Sequence, residues 1–172
     1  MVSLVVIVIM ELGMNLITFS LFGDNPLYCQ GAVENANLAR VIYPEWTARF
    51  YVAQDVPEDY IKEIEDYGAE VVRCEKKNSY DGLNWRFRPL NEPDVEYWIS
   101  RDADSRLSWR ERNAVDEWME SDKAAHLLRD CHNHGFTIMA GMFGINNKLF
   151  HERYGVLNLD NTNANYREAD QT

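Results

Sequence analysis

The sequence predicts an α/β fold, a mostly parallel sheet flanked by helices. Three observations carry this reading. Short β-branched and apolar runs alternate with helical stretches through the first 74 residues, in the order β-α-β-α-β. Proline and glycine punctuate that alternation where helices begin and stop. The 172 residues are 46% apolar and 26% charged, enough for one domain with a real core. This order of elements brings right-handed crossovers and places ligand sites at the carboxyl ends of the strands.

Each element has its own signal. Residues 16–21 form an apolar, β-branched strand, and Phe22-Gly23-Asp24-Asn25-Pro26 is a turn. Residues 29–43 read as a helix with Ala32, Val33, Ala36 and Ala39 among its small and apolar positions, stopped by Pro44. Residues 47–53 are a second strand. Pro57 opens a helix that runs through Tyr67, where Gly68 closes it. Residues 69–73 are a third strand and residues 75–82 a polar loop. Trp85-Arg86-Phe87 sits on a short helix, and residues 95–100 form a fourth strand. Ser108, with Glu111 three residues on, is a capping-box start for a helix to about Glu120. Residues 125–129 read as a strand, 131–135 as a loop with two histidines, and 137–143 as an apolar run ending at Gly144. From Asn158 onward the chain is rich in Asn and Asp, and no ordered element is expected there. No internal repeat is visible.

Residues 1–14 are expected to be a hydrophobic extension, upstream of a start at Met14, because the strand beginning at Asn15 needs nothing before it. No Lys or Arg precedes the run, the first being Arg40, so it lacks the basic start of a secretory signal. Glu11 and Asn15 interrupt it well short of the ~20 apolar residues of a membrane span, so stable membrane insertion is not expected.

Seventeen Lys and Arg stand against 28 Asp and Glu, a net charge of −11. A chain this acidic is a poor match for a nucleic-acid backbone, so no nucleic-acid partner is expected. An anionic ligand would need a local basic pocket or a metal ion. Cys29, Cys74 and Cys131 are odd in number and lack CxxC spacing, which suits a reducing, cytoplasmic setting rather than a disulfide framework.

The chemistry-bearing pair is Asp102 and Asp104, placed just after an apolar strand and therefore at its carboxyl end. Two positions apart in an extended segment, they point the same way. Two hard oxygen donors suit Mn²⁺ or Mg²⁺, which keeps positions open for water and phosphate oxygens. Arg101 and Arg106 flank the pair within reach of the same anion. Taken alone, Asp-x-Asp reads more simply as an acidic turn in which Asp104 or Ser105 helps to cap the next helix.

The wider pattern changes that weighting. The segments are Phe19 through Cys29; Trp85-Arg86-Phe87-Arg88-Pro89-Leu90; Ser100-Arg101-Asp102-Ala103-Asp104-Ser105-Arg106; Arg110-Glu111; and Ala114-Val115-Asp116-Glu117-Trp118. In this order and spacing they resemble a family of small GT-A-type glycosyltransferases of bacteria and large DNA viruses. The likeness continues at His126-Leu127-Leu128-Arg129-Asp130, at His132 and His134, and at Gly141-Met142-Phe143-Gly144, and covers about residues 15–171. It implies a GT-A-like fold and a nucleotide-diphosphate sugar donor. It implies that Asp102 and Asp104 hold the ion that contacts the diphosphate. It implies that Phe19, Ser20, Leu21 and Asn25 belong to the region receiving base and ribose, that Arg86 contacts phosphate, and that Gly141 lines the sugar and acceptor side. Two departures, Cys131-His132 for a His-Pro and Ala140-Gly141 for a Gly-Gly, fall on the acceptor side. Ala169-Asp170-Gln171 matches an element that leads in the family to a His-containing metal segment, and no histidine follows His151. The expectation is a single GT-A-like domain over residues 15–172 that lacks its C-terminal element.

The expected function is transfer of a sugar from that donor to a hydroxyl on a glycan, lipid or protein. Asp130 and His134 are the candidate catalytic residues, with a salt bridge from Asp130 to Arg129 or Arg106 and a plain polar loop as their simpler roles. Glu111 is expected to be structural, as a cap or a partner of Arg106. The tryptophans are expected in the core. The alternatives are a nucleotide-sugar-binding domain without turnover and a metal-dependent phosphoester hydrolase using Asp102, Asp104, His132 and His134.

Overall fold

The computed structural model describes residues 13–76, 81–129 and 138–156. Six strands form one sheet in the order β3-β2-β1-β4-β6-β5. The strands are β1 (Met14–Leu21), β2 (Thr47–Ala53), β3 (Glu70–Cys74), β4 (Val95–Arg101), β5 (Ala125–Leu127) and β6 (Met142–Asn146). β3, β2, β1 and β4 are mutually parallel, whereas β6 runs antiparallel to both β4 and β5.

Alternation along β1 assigns the two faces. Ile17, Phe19 and Leu21 belong to the larger core, shared with Ala32, Ala36 and Ala39 of α1 (Pro26–Ile42), Ile61 and Ile64 of α2 (Glu58–Asp66), and Val115 and Trp118 of α3 (Trp109–Met119). The alanine row lets α1 lie close to the strands, and Phe19 stacks on Phe50 with ring centres 4.5 Å apart. Such a pair adds roughly 0.5–1.5 kcal/mol beyond its buried area. α2 is anchored by two buried residues only, Ile61 and Ile64, each contributing about 1.5–3 kcal/mol.

Leu16 faces the other way. It packs with Leu90, Trp98 and Ile145 beneath a 3₁₀ helix (Asp81–Asn91) and α4 (Asn147–Tyr154). Buried Asn147 stitches this layer, donating to the carbonyls of Pro89 (2.7 Å) and Val95 (3.1 Å) and accepting from the Trp98 indole (2.9 Å). No described helix is long and apolar enough to cross a membrane.

Helix starts follow side-chain caps. Asn25 accepts from the Leu27 amide at 3.0 Å with Pro26 in the first turn, so α1 begins three residues before the predicted start. Ser108 accepts from the Glu111 amide at 3.3 Å, as its spacing predicts. α4 is an element that the sequence reading lacks, capped by Asn146. The fifth strand ends at Leu127, two residues earlier than expected. Trp85, Trp98 and Trp118 are core residues, while Trp109 is exposed.

Candidate functional site

β1 is the switch point of the sheet. The chain leaves it toward β2 and β3 on one side and returns to β4 on the other. Covering elements diverge at such a point, and a crevice opens at the carboxyl ends of the two central strands. A cleft of about 480 Å³ lies there. β1 and its loop contribute Ser20 and Asn25, the first turn of α1 contributes Tyr28, the 3₁₀ helix contributes Leu83 and Arg86, and the turn after β4 contributes Asp102 and Asp104. A larger cavity of about 900 Å³ lies at the opposite end of the same strands, beside Gly13, Met14 and Val95. It gathers Glu92, Asp94 and Glu96, so it is no match for an anionic donor.

The acidic pair reaches the cleft through a turn rather than an extended strand. β4 ends at Arg101, and the Ser105 amide donates to the Asp102 carbonyl at 3.2 Å. Two features of α1 shape this turn. Buried Asn35 donates to the carbonyls of Ala103 (3.3 Å) and Ser105 (2.7 Å) and accepts from the Leu107 amide (3.1 Å). Gly31 lies directly against the Ala103 carbonyl, where a Cβ would overlap it. A second close approach comes from Gly141, where a Cβ would overlap the Asp102 carboxylate. Sequence reasoning passed over Asn35; its signal was a single amide side chain on the alanine-rich face of a helix.

Arg86 is 6% exposed, and its guanidinium pairs with Asp102 and donates to the Arg101 carbonyl at 3.3 Å. Its backbone is clamped to β1, the amide donating to Ser20 Oγ (3.2 Å) and the carbonyl accepting from Thr18 Oγ1 (2.8 Å). Thr18 is a second residue that the sequence reading missed. The spacing Thr18-x-Ser20 places both hydroxyls on the face opposite the helical core.

Other candidates lie elsewhere. Phe19 is wholly buried on the helix side, so its side chain does not reach the cleft, although Ser20 and Leu21 line it. Arg101, the last residue of β4, faces the same side as Ile99, toward the helical core and away from the cleft, as strand alternation requires. It pairs with Glu111 and donates to the carbonyls of Ser100 (2.7 Å) and Phe143 (3.1 Å), so the structure does not bring it to the anion position expected of it. Glu111 therefore has Arg101 as its partner, not Arg106. Arg106 pairs with Glu34 of α1 and does not line the cleft. Asp130, His132 and His134 lie outside the described residues.

The thiol of Cys29 is raised by burial and by the nearby Asp24 and Asp55 charges, which disfavours a nucleophilic thiolate. His126 is held down at about 4, by burial first and by the Arg101 charge second. Its ring stacks on Trp118, and Nε2 is buried without a partner.

The donor set fits a divalent ion. Asp102 and Asp104 are hard oxygen donors in one cleft, and a glycine leaves room at the Asp102 carboxylate. Among the described residues no group of three or more acidic, His or Cys side chains could hold a metal. These two carboxylates would therefore share the ion with solvent and ligand oxygens.

No protein-family model and no curated protein matches the sequence. Solved structures do match the fold. A mannosyltransferase of Pyrobaculum calidifontis, solved with GDP-Man and Mn²⁺, aligns with a TM-score of 0.51 at 11% identity, over 84% of this chain and 48% of its own. This chain thus spans about half the length of that enzyme. A 4-diphosphocytidyl-2C-methyl-D-erythritol synthase of Anaerococcus prevotii aligns at 0.48 and 14% identity, over 83% of this chain and 75% of its own. The galactosyltransferase LgtC with donor and acceptor sugar analogues aligns at 0.46 and 14% identity, over 81% and 60%. The fold comparison rests on the first. The chain therefore shares the mixed α/β fold of that mannosyltransferase, a mostly parallel sheet flanked by helices.

Proposed function

We propose that this protein is a metal-dependent glycosyltransferase that moves a sugar from a nucleotide-diphosphate donor to a hydroxyl acceptor on a glycan, lipid or protein. The observation that carries the reading is the meeting of Asp102, Asp104 and Arg86 in one cleft at the sheet's switch point. A bound Mn²⁺ or Mg²⁺ would neutralise the diphosphate as it leaves. The chain's own residues do the rest. Asp102 and Asp104 hold the ion, and the Arg86 fork receives a phosphate oxygen. Ser20, Asn25 and Tyr28 meet the nucleoside, with Tyr28 exposed enough to stack on a base. Positioning and preset charge account for most of the rate gain. Asp130 and His134 are the proposed bases for the acceptor hydroxyl, and Gly141 lines that side.

A thermal-shift panel of nucleotide sugars with and without Mn²⁺, followed by assay for released nucleotide, tests this. Metal-dependent stabilisation with hydrolysis or transfer supports the reading. Stabilisation without turnover assigns a binding domain instead. Cleavage of generic phosphoesters with no preference for sugar nucleotides assigns a hydrolase. No shift with any of them rejects the site.

A further inference from the structure

We propose that Arg86 occupies the metal's place on Asp102 and exchanges with it, so that divalent-ion binding releases Arg86 to the donor's phosphates. The inference rests on the proposed nucleotide-sugar site and concerns how that site is loaded.

Four observations lead to it. First, the described residues lining the cleft include three aspartates, Asp24, Asp102 and Asp104, against one cation, Arg86. A diphosphate entering this cleft meets surplus negative charge, and the one group able to attract it is already engaged. Second, the Asp102 carboxylate is held on two sides. Oδ2 is turned against Gly141, and Oδ1 carries the Arg86 guanidinium. The oxygen left to serve a metal from the cleft is thus the one that Arg86 covers. Third, Arg86 is not a satisfied structural arginine. It is nine-tenths buried, yet its Nε has no hydrogen-bond partner. Fourth, the clamps from Thr18 and Ser20 act on its backbone alone, so the side chain can turn while its root stays fixed.

A divalent ion and a guanidinium compete for one carboxylate oxygen, because neither tolerates the other's charge at that distance. Metal-free protein therefore keeps Arg86 on Asp102 and is a poor receiver of anions. Once Asp102 is given to the ion, the Arg86 fork is left with one neutral carbonyl and turns to phosphate oxygens. Metal and diphosphate then strengthen each other's binding through Arg86, and the coupling is reciprocal. A static Arg86 would also repel the ion, but its side chain would stay on Asp102 when metal binds, so movement of that side chain is what separates exchange from simple repulsion.

The test is Mn²⁺ titration without nucleotide, followed by water-proton relaxation, on the wild-type chain and on Arg86→Gln. The expected result is that Arg86→Gln binds Mn²⁺ about fivefold or more tightly than wild type. In saturating Mn²⁺ the same variant should bind UDP and GDP more weakly. If Arg86→Gln is folded by circular dichroism and binds Mn²⁺ no more tightly than wild type, the exchange is wrong while the metal site stands. If neither protein binds Mn²⁺, with or without nucleotide, the proposed function falls and the exchange with it. The Arg86 Nε–H resonance of wild-type protein decides between exchange and simple repulsion, and does so even if Arg86→Gln fails to fold. A shift on adding Mg²⁺ alone supports exchange, and an unmoved resonance at Mg²⁺ saturation overturns it.

Discussion

The two ends of the central strands each bury an arginine among carboxylates, and they differ in how the charges balance. At the amino end, Arg49 lies between Glu70 (2.7 Å) and Glu92 (2.6 Å), and Glu92 also accepts from Tyr51 (3.3 Å). Burial pushes the Tyr51 phenol up to about 12, so it remains a donor there. Every strong group in that network meets a partner within the chain. At the carboxyl end, three aspartates line a cleft with one arginine, which pairs with Asp102 and whose Nε is unpartnered. A network that closes on itself holds the sheet together, whereas one with surplus charge leaves work for something from outside.

The sharpest way to break this comparison is to remove the surplus. Asp102→Asn with Asp104→Asn should weaken Mn²⁺-dependent nucleotide binding by about 100-fold, near 3 kcal/mol, with the fold retained by circular dichroism. Calorimetry that finds unchanged binding would place the ion elsewhere. At the other end, Arg49→Leu leaves two glutamates facing each other. Because both are part-exposed and can rehydrate, the cost should be about 2 kcal/mol in denaturant unfolding, with Mn²⁺ binding unaltered. Loss of Mn²⁺ binding in that variant would show that the two ends are coupled. Gly141→Ala forces the Asp102 carboxylate aside and should weaken Mn²⁺ by about tenfold, roughly 1.4 kcal/mol.

The smallest effect concerns pH. His126 is held below its ordinary value of 6.5 when folded, so the unfolded chain binds the proton first. Stability should therefore fall as pH drops from about 6.5 toward 4 and level off below. The loss is about 1 kcal/mol once partial solvent access is allowed for. His126→Gln should flatten that slope in pH-dependent urea titrations, and an unchanged slope would remove His126 as its source.

Much of this was legible in advance because it is local. Residues 47–53 carry a β-branched and aromatic run and form β2 with those bounds. Ser108 and Glu111 announce a cap through their spacing. The breaker reading of Pro26 hid the true start of α1, since proline is favoured in a first helical turn. β6 and its antiparallel pairing were not legible, because strand order depends on contacts far apart in sequence. Arg101 shows the limit within one strand. Its charge suggested an anion site, but its register places it on the same side as Ile99, away from the cleft, and strand alternation applied to that residue would have shown this.

Asn35 has a consequence for how the site comes into being. Its three bonds make the turn bearing Asp102 and Asp104 take its shape from α1 rather than from its own sequence. That turn therefore belongs to the same cooperative unit as the helix, and opens with it rather than as a surface loop. The acidic pair thus takes its place in the cleft only with α1 docked on the sheet, which ties the proposed metal site to the integrity of the helical core.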